Sequence, residues 1–152
     1  MRVWARLKNW LAAIAWACLI SSLSTDAFSS EHTSRFIIPV LHWMFPHASA
    51  ETLGLMHAVI RKSAHVTEYF IFSFFLMHGV RGNDRGWTLR WAIWAVIIAA
   101  GYAGLDEFHQ LFVPSRTASP WDALLDTAGA SVAQVVLWLW YMQRSGGRHT
   151  IP

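Results

Sequence analysis

The chain has 152 residues, of which 55% are hydrophobic and 14% charged, and ten are tryptophan. A soluble domain carries charge at about a quarter of its positions, and here the apolar residues fall in long runs, which excludes an ordinary soluble fold. The formal charge of +3 and the pI near 9.5 arise from short basic runs between apolar segments, so they read as topology signals and no nucleic-acid partner is expected.

In chain order, the first apolar segment covers residues 3–23, with Arg2, Arg6 and Lys8 at its start. Its uninterrupted part has the length of a signal-peptide core. A retained helix is nevertheless expected, because three later segments then complete an even bundle. Its Cys18 is the one cysteine, so an intramolecular disulfide and a paired-cysteine metal site are both excluded. Residues 24–63 read as a long polar connection. Within it, the stretch from Phe36 to Phe45 is interrupted by Pro39 and too short to span, so it reads as re-entrant or interfacial. Thr52 to Ile60 adds a helical turn or two. The second span is expected at about 63–80 and the third at 87–105, where Ala100, Gly101 and Gly104 have the spacing that admits another helix. The fourth is expected at 122–142, with Gly129 and Ala133 as a second small pair, before a short polar tail from Arg144 to Pro152. The expected fold is therefore all-α: one domain, a polytopic membrane bundle of four transmembrane helices plus a short re-entrant or interfacial segment.

Orientation follows from the basic residues. Arg2, Arg6, Lys8, Arg81, Arg85, Arg90, Arg144 and Arg148 fall on one side of this arrangement, against Arg35, Arg61, Lys62 and Arg116 on the other. The positive-inside rule then puts both termini in the cytoplasm of a multi-pass plasma (inner) membrane protein, with the remaining clusters on the extracytoplasmic face.

Two polar clusters border these spans. One is Arg61-Lys62-xx-His65-xx-Glu68-Tyr69; the other runs from Asp106-Glu107-Phe108-His109-Gln110 through Arg116 to Asp122 and Asp126. A charge at mid-membrane costs roughly 2.5–3.5 kcal/mol on insertion scales, so such groups are retained for a purpose. At 3.6 residues per turn, Arg61, His65, Glu68 and Phe72 share a stripe, Asp106 pairs with His109, Glu107 pairs with Gln110, and Asp122 lines up with Asp126. These stripes describe a pocket. Arg61, Lys62 and Arg116 would grip a phosphate. His65, Glu68, Asp106 and Glu107 are the candidates for proton transfer. Tyr69, His109, Gln110, Asp122 and Asp126 would complete the binding surface. The expected ligand is a membrane lipid or a lipid-linked, phosphate-bearing envelope precursor. A second copy of the chain or another membrane protein is left open as a partner.

The same residues support a structural reading, in which five acids and three bases hold four helices in register. His65-xx-Glu68 and Asp106-xx-His109 also have ligand spacing, but the adjacent Arg and Lys repel a cation, so no metal or other cofactor is assigned. Four helices would make a thin transporter.

Phe28-Ser29-Ser30, Arg61-Lys62-xx-His65-xx-Glu68-Tyr69, Asp106-Glu107-x-His109-Gln110-xx-Val113-Pro114-Ser115-Arg116-Thr117-Ala118-Ser119 and Asp122-xxx-Asp126-xx-Gly129 together resemble the VanZ-like membrane protein family. Ser115 departs from the glycine that often precedes the arginine there. The namesake of that family is associated with resistance to teicoplanin, a lipid-tailed antibiotic directed at cell-wall precursors. The resemblance thus implies an envelope protein working at the outer leaflet, with a link to glycopeptide resistance, and it implies no defined reaction.

Overall fold

A computed structural model describes residues 2–116 and 118–146, and side chains for 7–116 and 118–144. Thr117 and the tail beyond Gly146, Arg148 included, lie outside the described residues, as do the side chains of Arg2 and Arg6. The described chain is all helical: α1 (Arg2–Leu23), α2 (Ser30–Met44), α3 (Ala50–Arg81), α4 (Leu89–Gln110) and α5 (Pro120–Gly146), with a 3-10 turn over Asp26–Phe28.

Local chemistry sets the helix ends. Ser29, Ser49 and Thr88 stand in extended backbone and accept from the amides of His32, Thr52 and Trp91, capping α2, α3 and α4. Gly82 ends α3 at φ 65°, a conformation open to glycine. Pro120 opens α5 at the first helical position, where its missing N–H is no loss.

The expected polar connection over 24–63 is instead mostly helix. Pro39 lies inside α2 without breaking it, on an exposed face, and Thr52 to Ile60 belong to the 32-residue α3. α3 packs against each of the other four helices, most extensively against α5. The core is an alanine seam on α4 (Ala95, Ala99, Ala103) facing Tyr69, Phe72, Leu76 and Met77 of α3, with Ala13 and Ile20 of α1 and Ala130 of α5. The expected helix-admitting face of α4 is not used within the chain: a Cβ on Gly101 or Gly104 would meet nothing within 4 Å. The alanine seam takes that role because its four-residue repeat stays on one face of α4. The expected close approach at Gly129 does occur, with Ala133 buried on the same stripe.

Among the described residues, α4 and α5 are each long and apolar enough to cross a membrane, and only 28% of the most apolar stretch of each is buried within the chain. Much of the rest, including Ile93, Trp94, Ile97, Val132 and Leu139, is exposed and suits lipid. α1 and α2 reach that standard only together, as a pair bent by 74°. α3 falls short of it, because Arg61, Lys62, His65 and Glu68 dilute its apolar run. By length and composition, two of the described helices, or three spans if the bent pair counts as one, are candidates for crossing, and the four that the sequence predicts are not all matched.

Candidate functional site

The cluster-bearing turns of α3, α4 and α5, with the loop after α4, enclose a cavity of about 200 Å³. Its walls are Arg61, Lys62 and His65 from α3, Glu107 and Gln110 from α4, Ser115 and Arg116 from the loop, and Asp122 and Asp126 from α5. The α3 and α5 walls are close because Gly129 lets α5 lie against the backbone of Val66, one residue from His65 and one turn from Asp126.

Five of the charged groups hold the walls together. Asp106 is buried, and its Oδ2 accepts from the Ser24 hydroxyl at 2.8 Å and from Gln110 Nε2 at 2.9 Å, tying the end of α1 to α4. Arg116 donates through Nη2 to the carbonyls of Leu23, Thr25 and Phe28, pinning the α4–α5 loop onto the α1–α2 corner. The Ser115 hydroxyl donates to Asp26 across the same seam. Glu107 Oε2 accepts from the Ser119 amide at 2.7 Å, which places a carboxylate at the positive end of α5. Lys62 and Asp122 form an ion pair from α3 to α5. Asp106→Ala, which strands Ser24 and Gln110, is expected to lower stability by about 1–3 kcal/mol. Thermal unfolding in detergent checks this, and an unchanged midpoint would contradict the tie.

Four side-chain atoms of the cavity-lining residues, one of them on Arg116, have no protein partner among the described residues. Arg61 Nη1, His65 Nδ1, Arg116 Nε and Asp126 Oδ1 are all buried and none makes a hydrogen bond among the described residues. Asp126 is 1% exposed. His65 Nδ1 stands 4.0 Å from both Glu68 Oε2 and Asp126 Oδ2, beyond hydrogen-bond range. A buried polar group without a partner costs about 1–3 kcal/mol, so four in one small space favour a polar guest. Ahead of the spanning part of α3, burial pulls the Arg61 pKa down, and the Arg116 charge adds to that shift while Asp122 opposes it. Two guanidinium groups that repel each other across a cavity gain when an oxyanion enters between them.

The site differs from the sequence expectation at several residues. His109 is exposed and lies off the cluster face; the partner of Asp106 is Gln110, four residues on, because that spacing stays closer to one face than three. Glu107 binds Ser119 and not Gln110. Tyr69 is fully buried beside Phe72 and belongs to the core, not to the cavity wall. Arg116 and Lys62, expected to grip a phosphate, have much of their capacity taken by carbonyls and by Asp122. Arg61, His65 and Asp126 are brought together as expected, with Glu68 beside His65.

Sequence reasoning missed the small polar residues that seat the corner. Ser24 and Ser29 are buried, and so is His57. The Thr33 hydroxyl donates to the Ser29 carbonyl at 2.8 Å, so it accepts from His57 Nε2 at 3.1 Å. Burial, and then the Arg61 charge, holds the His57 pKa below its ordinary value, so this imidazole is neutral near pH 7. The signal for Ser24 was present: with Ala13 and Ile20 it repeats at helical spacing on one face. Among the described residues, no group of three or more His, Cys, Asp or Glu side chains is disposed to hold a metal ion.

A family model described as VanZ/LLP1 matches residues 9–141. No curated protein matches the chain. No solved structure matches it either.

Proposed function

The chain belongs to the VanZ/LLP1 family, and from the geometry of its site we propose that it is a cell-envelope protein of the plasma (inner) membrane that binds the phosphate-bearing head of a lipid or lipid-linked cell-wall precursor. In this reading one domain crosses the membrane four times through α1, α3, α4 and α5. α2 lies at the interface, both termini are cytoplasmic, and the cavity opens outward. The observation that carries it is the convergence of Arg61, His65 and Asp126, each with an unpartnered buried atom, on one cavity. Arg61 would take the phosphate oxygens, with Arg116 Nε behind it. His65, set between Glu68 and Asp126, is the group placed to move a proton should the bound head react. A role bearing on glycopeptide resistance is proposed from the family name alone.

Native mass spectrometry of the gently purified protein tests the binding. Wild type should retain a phosphate-bearing lipid that folded Arg61→Gln loses. If both carry the same lipids, the cavity is not a head-group site. Arg61 is the better probe than Arg116, whose removal also unpins the loop. A second reading, a non-enzymatic scaffold that docks a partner, is favoured by the occupied groups of Asp106, Glu107, Lys62 and Arg116. It predicts that Arg61→Gln leaves lipid retention unchanged.

The orientation has its own test in a Cys18→Ala background. A membrane-impermeant maleimide added to intact cells should label Pro114→Cys and spare Asp84→Cys. The reverse pattern would invert the topology.

A further inference from the structure

The charges lining the cavity do not suit a bare phosphate. With Lys62 and Asp122 paired to each other, Arg61 and Arg116 face Asp126 and Glu107: two cations against two carboxylates. A phosphate monoester would satisfy the guanidinium groups and meet repulsion from both acids. The unpartnered atoms carry the same message, because they are of both kinds. Arg61 Nη1 needs an acceptor, whereas Asp126 Oδ1, on a side chain 1% exposed, needs a donor. A guest that answers both has an acidic oxygen at one end and an N–H at the other. Its net charge is zero, so the balance of the wall is kept. The volume of about 200 Å³ is that of about seven liquid waters, room for a phosphate and a short amine arm.

The guest's source is indicated by the neighbouring groove. Glu107 is shared between the polar cavity and an apolar groove of about 700 Å³ between α4 and α5, lined by Ala100, Gly104, Phe108, Leu111 and Leu124. A Cβ on Gly104 would meet nothing within 4 Å, so the groove floor is open to an alkyl chain. A molecule whose head enters the cavity can lay its tail there without leaving the bilayer.

The geometry points to a zwitterionic aminophospholipid as the guest, its phosphate on Arg61 and its primary ammonium on Asp126, with a chain along the α4–α5 groove. This rests on the head-group reading above and narrows it to one chemistry. A trimethylated ammonium has no N–H to give Asp126 Oδ1. Phosphatidic acid has no cation at all.

The test is head-group ranking by wild-type protein in detergent micelles, with phosphatidylethanolamine, phosphatidylcholine, phosphatidic acid and phosphatidylglycerol titrated singly and read by native mass spectrometry. Phosphatidylethanolamine should bind at least tenfold more tightly than the other three. Asp126→Asn should bring the four within about twofold of each other, while Arg61→Gln weakens all of them alike. Water-soluble glycerophosphoethanolamine should compete only weakly, since it has no chain for the groove, and Gly104→Leu should weaken the lipid and leave that soluble head unaffected. Should Asp126→Asn fail to fold, the wild-type ranking still decides. Equal binding of all heads, or tightest binding of phosphatidylglycerol, overturns the ammonium assignment while leaving a lipid-head site. Equal competition by glycerophosphoethanolamine overturns the groove. No binding of any phospholipid overturns the head-group reading itself.

Discussion

Arg116→Ala is expected to lower the stability of the folded protein by about 2–4 kcal/mol, because it removes a charged donor from three backbone carbonyls at once. Those carbonyls belong to Leu23, Thr25 and Phe28, at the corner where α1 gives way to α2, and their partner sits in the loop between α4 and α5. Without the guanidinium, the corner keeps the Ser24–Asp106 bond and is joined to that loop only through Ser115 and Asp26 among the described hydrogen bonds. Arg116→Lys retains the charge but has one compact ammonium where a planar fork was, so it should recover less than half of the loss. Thermal unfolding of the three proteins in one detergent measures this. A wild-type midpoint for Arg116→Ala would show that the loop is held elsewhere.

Gly129→Leu should cost at least about 3 kcal/mol, the upper range for forcing extra volume into a packed interior. A Cβ at this position would stand 2.6 Å from the Val66 carbonyl oxygen and 3.1 Å from its Cγ1, so backbone and not a pliable side chain must give way. The damage reaches the site as well. Val66 adjoins His65, and Asp126 lies one turn before Gly129, so spreading α3 from α5 separates two walls of the cavity. Gly101→Leu is the control: nothing lies within 4 Å of its Cβ, and its melting point should stay near wild type, within about 0.5 kcal/mol. Comparable losses in both variants would mean that the cost comes from lipid contact and not from the α3–α5 seam, since leucine is the better helix former at both positions.

The helical class, the approximate positions of α4 and α5, and the joining of Arg61, His65 and Asp126 were all legible in the sequence. Apolar length and 3.6-residue spacing carry that information, since each concerns a single helix. Contacts between distant segments were not legible. No spacing rule links Arg116 to the carbonyls of residues 23–28, because backbone acceptors leave no mark on residue type. Ser24 and Ser29 looked like ordinary polar loop residues, yet one binds the Asp106 carboxylate and the other starts α2. Pro39 misled in the opposite direction: a proline suggests a break, and here the helix continues through it on an exposed face. Asp106 pairs with Gln110 over His109 because four residues stay closer to one face than three, and that this face of α4 is the buried one is a tertiary fact. Charges that look alike in sequence thus divide into groups that brace the corner and groups that face the cavity.

That division is the central claim, and solid-state NMR in lipid bilayers tests it most directly. Dipolar dephasing of guanidinium nitrogen-15 by lipid phosphorus-31 reports whether an arginine touches a phosphate. The account predicts a dephased arginine signal in wild type that disappears in Arg61→Gln and persists in Arg35→Gln, with Arg35 exposed on α2. Dephasing that is unchanged by Arg61→Gln would contradict it, and the cavity would then be only the interior of a brace.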